Sequence, residues 1–360
     1  MSTNSSSADN SYLWPGVPLA LASALLFGAS APLSKLLLGS VHPGLLAGIL
    51  YLGAGLGLAI VHFGRRGFGI AQLEAPLARR DLPWLLLVIL FGGVLAPLFL
   101  MLGLSMTTAS TGSLLLNLES LATMLIAWVV FRENVDRRLI LGAFAILAGA
   151  ILLTWSGGSV SLDLGALFIA AACLGWGIDN NLTRKLSSAD PVQIAMLKGL
   201  VAGTVNVTLA FAIGASLPSL PVVAGGALVG FFGIGVSLVM FMLGLRHLGT
   251  ARTGAYYSLA PFIGAVLAIA FLGDPITLNL LLAAGLMGLG LWLHLTERHE
   301  HQHVHDTIEH EHRHVHDEHH QHDHDGSLTE PHSHAHRHEP IAHSHPHYPD
   351  LHHRHGHKHE

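Results

Sequence analysis

The sequence predicts an all-α integral membrane protein of ten transmembrane helices, built as two inverted five-helix repeats and followed by a disordered histidine-rich tail. Three observations carry that reading. Of 360 residues 51 % are hydrophobic and only 11 % charged, against roughly 25 % charged in a typical soluble domain, so a water-facing surface cannot be assembled from this composition. The apolar residues fall into runs of bilayer-spanning length, and Lys and Arg cluster in alternate connections between them. From residue 297 onward the chain turns almost wholly polar.

The opening segment, 1–14, carries no Lys or Arg and so lacks the positive start of a cleaved signal peptide; a cytoplasmic stretch before a retained helix is expected. A bilayer core of about 30 Å needs about 20 apolar residues per helix. Runs of that length fall near 15–38, 43–63, 83–104, 111–131, 139–155, 164–183, 192–213, 222–244, 253–272 and 277–296. Arg65, Arg66, Arg79 and Arg80 follow the second run, Arg132, Arg137 and Arg138 the fourth, Arg184 and Lys185 the sixth, and Arg246 and Arg252 the eighth, while the other connections have none. Positive residues in short loops stay inside. Both termini are therefore expected in the cytosol, of a multi-pass protein in a bacterial-type inner (plasma) membrane. The single cysteine, Cys173, lies in an apolar run and excludes an intrachain disulfide or thiolate cluster.

Residues 15–155 and 156–296 are expected to form the two repeats, with 297–360 as the tail. At an offset of 149 residues Gly28 falls over Gly177, Leu33 over Leu182 and Lys35 over Arg184; at an offset of 141 Ala127 falls over Ala268, Glu133 over Asp274 and Gly149 over Gly290. An odd number of helices per half forces the halves to point opposite ways, the construction of many secondary transporters. The segments ALLFGASAPLSKLLL, TASTGSLLLNLESLATMLIAWVVFRENV and TARTGAYYSLAPFIGAVLAIAFLGDPI resemble the two EamA-type repeats of the drug/metabolite transporter (DMT) superfamily over residues 15–296. The resemblance implies a ten-helix exporter of amino acids, metabolites or drugs, commonly with proton exchange. Where the first repeat of that family usually reads Glu-Pro, this chain has Glu119-Ser120, and the second has Ala260-Pro261.

Charges inside a bilayer are costly and usually face a water-filled path or a partner. Glu119, with Asn117 two residues before it, is the leading candidate for a proton or cation site, a structural carboxyl being the alternative. Asp179, Asn180 and Asn181 cannot all face one direction on a helix; they line the path or end the helix at the interface. Trp176 shares a face with Asp179, and Tyr256 and Tyr257 offer hydroxyls or aromatic walls, or simply pack. Lys35, Arg184 and Lys198 are expected to anchor at interfaces. Gly53 with Gly57, and Gly226 with Gly230, keep a spacing suited to close helix packing or a homodimer contact.

The tail holds 24 histidines, many in strict alternation: His299, His301, His303 and His305; His310, His312, His314 and His316; His332, His334, His336 and His338; His353, His355, His357 and His359. Extended backbone places residues i and i+2 on one side, so each run offers a row of imidazoles to divalent Zn, Ni, Co or Cu. A solvated, pH-responsive tail is the plainer reading. Together these features predict a secondary-active transporter, an exporter of small metabolites or of metal ions and their complexes, driven by a proton or other ion gradient. It is expected to need membrane lipid but no other cofactor and no nucleic acid, and to be no enzyme. An ordinary exporter with an appended metal buffer, and a non-transporting metal store or sensor, are the competing readings.

Overall fold

A computed structural model describes residues 15–68, 77–131, 137–155, 163–183, 185–186 and 189–296, side chains at 245, 246 and 249–252 excepted, with the backbone of four short tail segments. The body is all-helical. Helices α1 (Gly16–Leu38), α2 (Pro43–Gly67), α3 (Arg79–Met106), α4 (Ala109–Phe131), α5 (Arg137–Thr154), α7 (Pro191–Ala212), α8 (Leu220–Gly244), α9 (Thr253–Leu272) and α10 (Leu278–Leu295) are, among the described residues, nine helices long and apolar enough to cross a membrane. The remaining helix, α6 (Leu164–Thr183), has 20 residues, and its mean hydropathy is pulled down by Asp179, Asn180 and Asn181. These ten helices lie where the apolar runs predict them.

The halves interdigitate. Helix α1 packs on α8 and α9, and α6 packs correspondingly on α3 and α4, while α2 pairs with α7 and α5 with α10. The first helix of each sequence half thus lies against the third and fourth helices of the other. The α2–α8 contact uses the predicted small residues: a Cβ at Gly53 would overlap the Ala227 backbone, and one at Gly230 the Leu50 carbonyl. In lipid, where apolar burial gives helices little reason to associate, such backbone proximity supplies van der Waals packing.

Two irregularities recur in both halves. Helix α3 contains a π-helical stretch at Ile89–Leu95 and α8 one at Phe231–Val236. Helix α4 is broken between Ala109–Leu115 and Leu118–Phe131, and the chain is broken equivalently between Tyr257 and Ala260, in the first third of α9. In α9 the break precedes Pro261, which cannot donate to the preceding turn. In α4, where Ser120 stands in place of proline, side chains do the same work. The Asn117 amide donates to the Leu114 carbonyl at 2.8 Å, and the Ser120 hydroxyl to the Asn117 carbonyl at 2.8 Å. The Cys173 thiol lies 3.7 Å from the Leu115 carbonyl. Backbone polar groups at membrane depth must be satisfied internally, and here they are.

Of the tail, strands β1 (Glu300–Val304) and β4 (Ala342–Pro346) pair antiparallel, as do β2 (Ile308–His314) and β3 (His332–His338). Disorder was expected throughout. The period-2 alternation of histidine is itself a strand pattern, so local extended pairing needs no apolar core. The sequences of these segments supply none.

Candidate functional site

The site lies where α6 meets α3, α4 and α7. Glu119 stands in the first turn of the Leu118–Phe131 segment, so the break in α4 sets its carboxylate at the electropositive start of a helix. Its Oε1 accepts from the Asn180 amide at 2.9 Å, and the same amide reaches the Thr123 hydroxyl at 3.3 Å. Glu119 is half-buried while Asn180 is exposed, so this pair is open on one side.

The three consecutive polar residues of α6 diverge, as helix geometry requires. Asn181 is buried and donates to the carbonyls of Gly177 (2.8 Å) and Thr123 (3.1 Å). Asp179 turns the other way. It forms an ion pair with Lys198 of α7 and accepts from the Thr183 hydroxyl at 3.0 Å. Each residue therefore has its own partner inside the bundle, which goes beyond simple helix termination. Lys198, expected at the interface, is instead only 9 % exposed. Sequence reasoning missed the pair; its signal was a lone acid and a lone base in facing apolar runs.

The ion pair is wedged against the π-helical stretch of α3. A Cβ at Gly92 would overlap the Asp179 carboxylate, and one at Gly93 would sit 3.3 Å from the Lys198 stem. Within the stretch the Ala96 N–H reaches back to the Phe91 carbonyl. In that register the Gly92 carbonyl would need the N–H of Pro97, which does not exist. Two side chains supply the missing donors: Tyr51 Oη at 2.8 Å and Trp176 Nε1 at 3.1 Å. The amide of Asn206 lies 3.4 Å and 3.3 Å from the next two carbonyls.

Aromatic rings continue from Trp176 toward the opposite half. Trp176 meets Phe27 edge-on at 6.4 Å between centroids, Phe27 meets Tyr257 at 5.4 Å, and Tyr257 meets Phe241 at 4.7 Å. Phe27 and Trp176 are equivalent at the 149-residue offset, so the contact joins matching positions of the two halves. Electrostatic interactions link Glu119 to Asp179, Lys198 and Tyr257. Asn117, buried at the α4 break, serves the backbone, and Tyr256 is half-buried, its carbonyl accepting from the Leu259 N–H at 3.2 Å.

A second polar group closes the end whose connections lack Lys and Arg. The Asp274 carboxylate, just beyond α9, accepts from the Ser110 N–H at 2.7 Å, capping the start of α4. Lys35, expected to anchor at the interface, donates to the Leu104 carbonyl at 2.5 Å and interacts electrostatically with Asp274. A cavity of about 260 Å³ lined by Thr108, Ser110, Thr111, Pro275, Thr277 and Asn279 lies beside them.

Among the described residues no group of three His, Cys, Asp or Glu side chains converges as a metal site. All sixteen tail histidines assigned to metal binding, from His299 to His359, have side chains outside the described residues, as do Glu133 and Arg184.

Ten interdigitated helices, broken at matching places and carrying a polar core around one half-buried carboxylate, define a membrane transporter. The sequence profile of the EamA-like transporter family matches the chain twice, over residues 14–155 and 163–296. The chain belongs to that family. It is 30 % identical over 287 residues to an uncharacterized transporter of Methanothermobacter thermautotrophicus (strain Delta H), covering 74 % of this chain and 81 % of that one. It is also 24 % identical over 198 residues to the uncharacterized transporter YyaM of Bacillus subtilis, covering 52 % and 65 % respectively. A protein known from its crystal structure shares the fold, with a TM-score of 0.58 and 19 % identity over 78 % of this chain and 96 % of its own.

Proposed function

We propose that the chain is a secondary-active exporter of the plasma membrane, with both termini cytoplasmic, in which Glu119 binds substrate and proton alternately and Asn180 holds its carboxylate in place. One observation supports this above the rest: an ionisable group stands at a helix break within the bundle, with one oxygen held by the neutral amide of an exposed asparagine. Groups of that kind, costly in a bilayer, mark ion and substrate paths. The Arg-rich connections favour the orientation. The histidine tail is the separate, metal-holding part of the proposal: many equivalent imidazoles bind Zn, Ni, Co or Cu in exchangeable fashion, with small metabolites or metal complexes as cargo of the body.

The test is reconstitution of the full chain in liposomes under an imposed pH gradient, with flux followed for a panel of amines, amino acids and divalent metals. Glu119→Gln should abolish proton-coupled movement of whichever solute is carried. Wild-type flux in that variant would remove Glu119 from the mechanism.

A further inference from the structure

Resting on that reading, the charge balance of the site narrows the substrate. Three ionisable side chains lie together where α3, α4, α6 and α7 meet: Glu119, Asp179 and Lys198. Asp179 and Lys198 are buried and joined to one another. As an acid and a base in contact, they act on Glu119 with opposite sign. Asp179 is further occupied by the Thr183 hydroxyl, and the small side of Gly92 lets the pair sit flush against α3. What remains without an ion-pair partner among the described residues is Glu119, whose carboxylate accepts from the neutral amide of Asn180 at the start of a helix. An ionised Glu119 therefore leaves the centre with one net negative charge.

The surroundings are aromatic. Trp176, one helical turn before Asn180 on the same face of α6, belongs to the row of rings formed with Phe27, Tyr257 and Phe241. Ring faces attract cations, the more strongly when water is excluded. A bare divalent metal would ask instead for several converging ligands, which the described residues do not assemble.

From this arrangement we infer that the central site takes a singly charged organic cation, an amine or quaternary ammonium on an apolar frame, and that the Asp179–Lys198 pair sets that charge preference by staying neutral as a unit. The cationic group lies at Glu119 and the frame lies along the rings. Lys198 is thus a specificity residue acting through Asp179, without touching the substrate.

The experiment uses the full chain in lipid nanodiscs and probes of matched shape: benzyltrimethylammonium as monocation, p-xylylene-bis(trimethylammonium) as dication, phenylalanine as zwitterion and 3-phenylpropionate as anion. Calorimetry should show the monocation binding best. Glu119→Gln should weaken it about tenfold or more, the scale of a charge-assisted contact. Asp179→Asn leaves Lys198 unpaired beside Glu119 and should weaken the monocation similarly, although Glu119 is intact. Adding Lys198→Met to Asp179→Asn should restore it, a rescue that loss of packing does not produce. Lys198→Met alone frees a second carboxylate and should turn the preference toward the dication about tenfold. The Asp179→Asn rescue decides the matter if that variant does not fold.

Displacement of the monocation by Zn²⁺, equal binding of the zwitterion or anion, or absence of rescue would overturn the inference. In the liposome assay with the same probes, flux of phenylalanine that depends on Glu119, with the monocation inert, would overturn it while leaving the carrier reading standing. Absence of Glu119-dependent flux for every probe would overturn both.

Discussion

Because Pro97 has no N–H to offer the π-helical turn before it, the Gly92 carbonyl should make Tyr51 and Trp176 energetically interdependent. Each donates to the same oxygen, at 2.8 Å and 3.1 Å, and Tyr51 is 4 % exposed. Tyr51→Phe removes one donor and leaves the other, so its cost should be that of a typical interhelical hydrogen bond in a bilayer, about 0.6 kcal/mol. Trp176→Phe costs more, because ring volume is lost as well. In the double variant the carbonyl is buried with no donor, adding the penalty for an unsatisfied group, about 1–3 kcal/mol. The double variant should therefore exceed the sum of the singles by about 1 kcal/mol or more, measured as a double-mutant cycle of unfolding in mixed micelles by circular dichroism. The packing loss of the tryptophan cancels in that cycle. Strict additivity would refute the reasoning. So would an undiminished coupling in a Pro97→Ala background, where the new N–H can satisfy the helix from within.

Asp274→Ala should loosen the end of the bundle without Lys and Arg, since it strips the Ser110 N–H of a charged acceptor, an interaction worth about 1.5–3 kcal/mol. The readout is faster labelling of Thr111→Cys, in a Cys173→Ser background, by a membrane-impermeant maleimide, and an unchanged rate would count against closure there. For the tail, truncation after residue 296 should remove most Zn²⁺ or Ni²⁺ uptake measured by equilibrium dialysis. Imidazole ligates only when neutral, so metal held by the full chain should be released as pH falls through about 6.5. Equal uptake by both chains would sink the tail's metal role.

Span number, span position and the small-residue helix contacts were legible because a bilayer imposes them on composition: length, hydropathy and glycine spacing are one-dimensional properties. The matching helix breaks were half legible. Pro261 announces the one in α9, whereas the α4 break depends on Asn117, Ser120 and Cys173 taking carbonyls that only the folded chain brings within reach. The ion pair was not legible. Lys198 stands eight residues after Asp190, two turns into its helix, and sequence position alone cannot separate a snorkelling lysine from one turned inward toward a partner on the preceding helix. Glu119 and Asn180 each stood out as polar groups in apolar runs, but their union across 61 residues is a tertiary fact.

The two halves share a backbone plan and divide the chemistry unequally. At matching positions the first half has Phe27 and Ser30 where the second has Trp176 and Asp179, and Ala260 stands where the first has Glu119. Both third helices carry a π-helical stretch, yet the described polar side chains gather on the one in α3, while a Cβ at Gly233 in α8 would first meet Ser30 and the Leu26 carbonyl. A shared plan of breaks and π turns gives each half the same places at which to bend, because irregular helix geometry weakens the hydrogen-bond ladder there. Concentrating acid, base and amide on one side of that plan gives the described bundle one charged centre of this kind, distinct from the Lys35 and Asp274 group at its end. Two equivalent charged centres, one per half, would instead bind two ions per cycle and pay the cost of burying charge twice. Under the carrier reading proposed above, that asymmetry would let a symmetric frame carry one charge at a time.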